Sequence, residues 1–248
     1  MTQIRRIVEN KTIIEYAKSN IYIIEDILED SFCDELRQLI DTLPLTKIVH
    51  STGNNVECNI SRIDELLNIN DELYYEFSTD TNKYNELLQN IQNKKSIYTN
   101  KLNGLMVNSM KEYHSKINDI MINIQTIMND INPRITLDHN SGYLLRKIYG
   151  RTRKHIDNIS ELYDSNINFI KNNKKGDYRM VRSASIIFGL NDDYDGGMYN
   201  FPYYDVTLKL KKGSVIIFPP YWTHEHEVFT VENNTFRYTL STWSCMNI

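Results

Sequence analysis

Residues 183–243 consist of short runs of β-branched and aromatic residues broken by turn signals, and nothing else in the chain restricts its fold as strongly. The runs are residues 183–191, 206–210, 214–218 and 236–243. The breaks are Asp195-Gly196-Gly197, Lys211-Lys212-Gly213 and Asn233-Asn234. Such runs read as strands, and no helical period separates them. A parallel sheet needs helical crossovers, so the spacing predicts an antiparallel sandwich or barrel. Gly196, Gly197 and Gly213 fit tight connections with positive φ and are assigned no chemistry.

The pattern differs before Pro133. Phe32, Leu36, Leu39, Ile40 and Leu43 recur at spacings of three and four, introduced by Ser31 with Asp34 three residues on and closed by Pro44. This spacing predicts a capped amphipathic helix. The apolar run Ile21-Tyr22-Ile23-Ile24 before it reads as a strand. A second helix follows from the stripe Val107, Met110, Ile117, Ile120, Met121, Ile124, Met128 and Ile131, which must pack on something. Residues 54–104 are polar with only intermittent helical signals, and we expect helices joined by mobile loops there, able to cover the mouth of the β part.

A chain of 248 residues fits one large domain. No stretch approaches the ~20 apolar residues of a membrane span, and the N-terminus lacks a signal-peptide apolar region. Cys33, Cys58 and Cys245 are too few and too scattered for a disulfide framework or a zinc site, so the expected compartment is the cytoplasm. A net charge of −4 argues against a nucleic-acid coat protein. Locally the balance reverses: ten Lys or Arg against four acids lie from Arg146 to Arg182. That excess can attract an acidic or phosphate-bearing partner, although solvated loops commonly carry such charges.

His155-Ile156-Asp157 places an imidazole and a carboxylate two residues apart, hence on one face of a strand. A surface ion pair has the same spacing. The pair also supplies two ligands of a 2-His-1-carboxylate site for non-haem Fe(II), with the third from a distant histidine, His224 or His226. After the apolar run 214–218 and those histidines, Arg237 and Thr239 again share one strand face. A guanidinium beside a hydroxyl can hold a carboxylate. Trp243 falls on the same face and fits either the wall of that pocket or the core.

In combination these features resemble the Fe(II)- and 2-oxoglutarate-dependent dioxygenases, in the prolyl 4-hydroxylase-like branch. The resemblance is carried by His155-x-Asp157, Leu190-Asn191, Asp193-Tyr194-Asp195-Gly196-Gly197, Phe201-Pro202, the segment 212–219, and His226-Glu227-Val228 leading to Arg237-Tyr238 and Trp243. It spans about residues 141–245, and residues 21–43 look like the strand and helix that often open such domains.

The resemblance implies a mainly β, α+β fold: a double-stranded β-helix (jelly roll) core in residues 134–248, a mostly helical part in 1–133 packed outside it, and one domain over 1–248. It implies Fe(II) held by His155, Asp157 and His226, because Glu-Val follows His226 as in the family motif. It implies 2-oxoglutarate held by Arg237 with Thr239 and Tyr149, leaving Tyr143 as an alternative to Tyr149, and it makes His224 a neighbour of the site. O2 is the oxidant, with ascorbate an optional reductant. The implied reaction hydroxylates an unactivated C–H bond, on a prolyl or other residue of a protein or peptide, and converts 2-oxoglutarate to succinate and CO2. Two other classes stay open: a non-catalytic jelly-roll module that binds metal and 2-oxoacid, and an oxygenase acting on a nucleobase or small molecule.

Overall fold

The structure is a computed structural model that describes residues 2–42, 46–49, 57–62, 105–137, 139–140, 143–148, 150–157 and 180–247. In chain order its elements are β1 (Gln3–Val8), β2 (Lys11–Tyr16), β3 (Ile21–Ile24), α1 (Asp30–Thr42), β4 (Thr46–Val49), β5 (Glu57–Arg62), α2 (Leu105–Ile131), β6 (His139–Asn140), β7 (Leu144–Ile148) and β8 (Thr152–His155). They continue with β9 (Met180–Gly189), β10 (Asp195–Gly196), β11 (Tyr199–Phe201), β12 (Val206–Leu208), β13 (Val215–Phe218), β14 (His226–Val228), β15 (Val231–Glu232) and β16 (Arg237–Asn247).

Two antiparallel sheets form the core. The large one runs β1-β2-β3-β13-β9-β16-β7-β5-β4, with β6 beside β16; the small one runs β12-β11-β14-β8. From β7 onward the chain crosses between them, with β8, β11, β12 and β14 in the small sheet and β9, β13 and β16 in the large one. That alternation is the jelly-roll, or double-stranded β-helix, topology.

The two faces of the large sheet bury different partners. On the outer face Ile186, Phe188, Val215, Ile217 and Leu240 pack against Phe32, Leu36 and Ile40 of α1 and Ile117, Ile124 and Met128 of α2. Neither helix can bury its stripe alone, and each large side chain removed from water contributes roughly 1.5–3 kcal/mol. On the inner face Ile187, Ile216 and Phe218 meet Tyr199, Phe201 and Val228 of the small sheet. Gly213 fastens the helical layer to the β layer. Its carbonyl accepts the N–H groups of Ile27 and Leu28, both at 2.9 Å, while its φ of +77° and a would-be Cβ 2.7 Å from the Leu28 oxygen admit only glycine.

The N-terminal part is less purely helical than its periodicity suggests. β1 and β2 form a hairpin whose two-residue turn, Glu9-Asn10, has both residues at positive φ (47° and 61°). This turn geometry usually carries glycine, and without one the hairpin left little trace in the sequence. Within 54–104, Glu57–Arg62 is a strand paired with β7, not a helix or loop. Its polar sequence hides a conformation that the neighbouring strand supplies. The rest of that segment, including the expected lid, lies outside the described residues. No helix among the described residues is long and apolar enough to cross a membrane.

Candidate functional site

His155 ends β8 and His226 begins β14, and the two are register partners across the small sheet. Asp157 follows β8 by two residues. One ligand atom from each of His155, Asp157 and His226 lies within 4.8 Å of the others. The histidine expected from the residue pattern alone as either His224 or His226 is thus His226 in space.

Hydrogen bonds orient all three groups. Nδ1 of His155 lies 2.8 Å from the Arg153 carbonyl, and Nδ1 of His226 lies 3.0 Å from the His224 carbonyl. Each Nδ1 must carry the proton, since a carbonyl only accepts, and each Nε2 is left as the ligand nitrogen. His155 Nε2 stands 3.2 Å from Asp157 Oδ1. Ser185 Oγ on β9 donates to Asp157 Oδ2 at 2.6 Å, and Arg182 Nη1 donates to the Asp157 backbone carbonyl at 2.5 Å. Phe201 and Phe218 wall His226, with ring centroids 5.3 and 4.9 Å away.

The electrostatics follow from this packing. Burial pushes Asp157 up, but the His226 and His155 imidazoles and the Ser185 hydroxyl outweigh it and hold the carboxyl well below the usual carboxylate range. Burial pushes His155 down, and the hydrogen bond and charge of Asp157 overcome that and raise it. His226 is lowered by its burial. A divalent cation would replace the shared proton of the His155–Asp157 pair, with the His226 imidazole as a third ligand.

His224 adjoins the site through its backbone carbonyl, which accepts from His226, while its side chain is held elsewhere. Only 3% exposed, it directs Nε2 to the Ser19 carbonyl at 2.5 Å and Nδ1 to Thr223 Oγ1 at 2.8 Å. Both nitrogens are thus committed to the turn between β2 and β3 and to its own loop.

Arg237 and Thr239 open β16 with their side chains in the interior, 3% and 2% exposed. The guanidinium lies over the Tyr199 ring, 4.7 Å from its centroid, and Nη1 reaches the Gly197 carbonyl at 3.4 Å. Arg237 Nε, Thr239 Oγ1 and Ser241 Oγ are buried with no hydrogen-bond partner. A row of orphaned polar atoms is costly in a dry interior, and this one matches an oxygen-rich anion such as 2-oxoglutarate. Tyr149 lies outside the described residues. Tyr143 is fully buried on the other side of the sheet, hydrogen-bonded to Asn118 of α2, and does not face this row.

Two contributors were not singled out from the sequence. Ser185 faces Asp157 because it pairs with Trp243 on the inner face of β9, a parity readable from the strand alone. Arg182 stacks on Trp243 with its Cζ 3.9 Å from the ring centroid. It was visible only as part of the local basic excess.

Residues 144–245 match the family model of the 2OG-Fe(II) oxygenase superfamily. Among solved structures, the chain is similar to a viral collagen prolyl hydroxylase from Paramecium Bursaria Chlorella virus-1, in its 2OG complex. Identity is 15%, the match covers 92% of this chain and 96% of that one, and the TM-score is 0.51. It is also similar to a Trichoplax adhaerens prolyl hydroxylase in complex with a hypoxia inducible factor oxygen degradation domain peptide fragment, at 13% identity over 91% and 83% of the two chains with a TM-score of 0.52. At these identities the likeness is one of fold. No curated protein sequence matches the chain.

Proposed function

We propose that this chain, which through residues 144–245 belongs to the 2OG-Fe(II) oxygenase superfamily, hydroxylates an unactivated C–H bond of a prolyl or other residue in a protein or peptide. The family's Fe(II), 2-oxoglutarate and O2 supply the oxidising chemistry, with 2-oxoglutarate leaving as succinate and CO2. His155, Asp157 and His226 are the metal-holding set, and Arg237 with Thr239 is the anchor for a carboxylate of 2-oxoglutarate. The observation that carries the reading is the convergence of two Nε2 atoms and one carboxylate within 4.8 Å, each held from behind by a hydrogen bond. Ser185 and the Arg153 and His224 carbonyls orient the ligands, and Phe201 and Phe218 exclude water from the His226 side.

The residue-level substrate draws support from the fold shared with prolyl hydroxylases and from the basic excess that flanks His155 and Asp157 in sequence. Packing of α1 and α2 onto the same sheet that bears Arg237 supports one domain over 1–248. Cys33 and Cys245 are buried free thiols, which fits the cytoplasm. The test is anaerobic incubation with Fe(II) and 2-oxoglutarate followed by air. Succinate should form faster with a proline-containing peptide pool present, and a peptide should gain one oxygen atom. Succinate formation indifferent to every peptide would favour a nucleobase or small-molecule substrate, and none at all would leave a binding module.

A further inference from the structure

Arg146 is a partly buried cation to which the proposed chemistry gives no role. Arg146 on β7 is the register partner of Thr239 on β16, so both side chains leave the same face, toward the small sheet. Its Nε is buried without a hydrogen-bond partner, and its Cζ lies 5.9 Å from the Trp243 ring centroid. Among the described residues Arg146 makes no ion pair and its buried Nε has no acceptor, while Arg237 and Arg182 donate through Nη1 to the backbone carbonyls of Gly197 and Asp157.

Formal charges show why that matters. A divalent ion with Arg237 carries three positive charges, and Asp157 with the two carboxylates of 2-oxoglutarate carries three negative ones. Arg146 is outside that balance. The half-buried Arg146 keeps an orphaned Nε and has no counter-charge among the described residues. One further anion would neutralise it, and the planar fork suits a carboxylate.

We propose that Arg146 is a specificity residue that receives a carboxylate of the primary substrate, so that the preferred peptide bears an acidic side chain next to the residue that is hydroxylated. This rests on the proposed peptide oxygenase reading and names its substrate class. The site lies between Thr239, which faces the co-substrate, and Trp243, which pairs with Ser185 behind Asp157. An acid flanking the reacting residue would be held close to the metal.

The test uses the full chain loaded with Mn(II) and 2-oxoglutarate under argon, and two proline-centred peptide pools alike except for glutamate or glutamine beside the proline. Binding is read by competition anisotropy. The glutamate pool should bind about tenfold more tightly, or about 1.4 kcal/mol. Arg146→Met should remove that preference while changing 2-oxoglutarate affinity less than about twofold, and Arg146→Lys should restore part of it. Equal binding of the two pools to the unaltered protein would overturn the proposal and leave the oxygenase reading intact if succinate still forms. Loss of 2-oxoglutarate binding in Arg146→Met would instead assign Arg146 to the co-substrate. If neither pool binds and no peptide stimulates succinate, the peptide reading falls and this inference with it.

Discussion

His155 and His226 face each other across the pairing of β8 with β14, their ring centroids 4.4 Å apart, although 71 residues separate them in sequence. The jelly roll makes that meeting possible, because the chain crosses repeatedly between the two sheets and the return from β13 to β14 brings the second histidine beside the first. Each ring is fixed by a backbone carbonyl two residues upstream. The metal-holding geometry is therefore built largely from main chain, with Ser185 adding the side-chain support for Asp157.

His226→Ala should cost metal binding outright, since it removes one of three ligands, and Mn(II) affinity measured by titration should fall at least about 100-fold. Ser185→Ala acts on an oriented ligand and should cost about 10–100-fold. His224→Ala should leave Mn(II) affinity nearly intact but lower stability to urea by about 1–3 kcal/mol, because the buried Ser19 carbonyl loses its donor. A dead metal site in His224→Ala alone would reverse the assignment.

Arg237→Lys keeps the charge but loses the planar fork that reaches the Gly197 carbonyl. 2-Oxoglutarate affinity should fall about tenfold or more, with Mn(II) affinity of the co-substrate-free protein unchanged. Unchanged 2-oxoglutarate affinity would move the anchor elsewhere.

The His155–Asp157 pair should make stability of the metal-free protein depend on pH. Asp157 is held below its ordinary 3.8, so its contribution is present above that value and lost as pH falls through the lower folded value. His155 is raised above 6.5, so its contribution is full below 6.5 and lost as pH rises through the folded value. The coupling in a double-mutant cycle of His155→Ala and Asp157→Asn should be largest between pH 3.8 and 6.5 and shrink on both sides. Coupling that grows above pH 7 would contradict the protonated pair.

The C-terminal strands and the site were legible because the physics that forms them is local. Alternation put Arg237, Thr239 and Trp243 on one face, and the close spacing of His155 and Asp157 brought them together, although Asp157 lies past the end of β8 and not in a strand. What could not be read depends on neighbours distant in sequence. His224 and His226 differ only in that one reaches Ser19 and the other Asp157, a choice made by the β2–β3 turn and by the β8–β14 register. Tyr143 turned outward because α2 offers Asn118. Arg146 was visible only as part of the local basic excess, because its meaning lies across the sheet, opposite Thr239.

The two isoleucines Ile122 and Ile124 offer a controlled test of how α2 joins the core. Ile124 is fully buried in the outer cluster, and Ile122, two residues earlier, is 66% exposed. Two residues turn an α-helix by roughly 200°, so one side chain faces the sheet and the other faces away from it. Deleting the buried side chain loses its transfer free energy and leaves a hole between helix and sheet, so Ile124→Ala should cost about 2–5 kcal/mol. Ile122→Ala should stay within about 0.5 kcal/mol. Urea denaturation reads both, and a single transition in each variant would indicate that helix and sheet unfold together. If Ile124→Ala instead split the transition, with the β signal unmoved, α2 would be an attachment to the jelly roll and not part of its core.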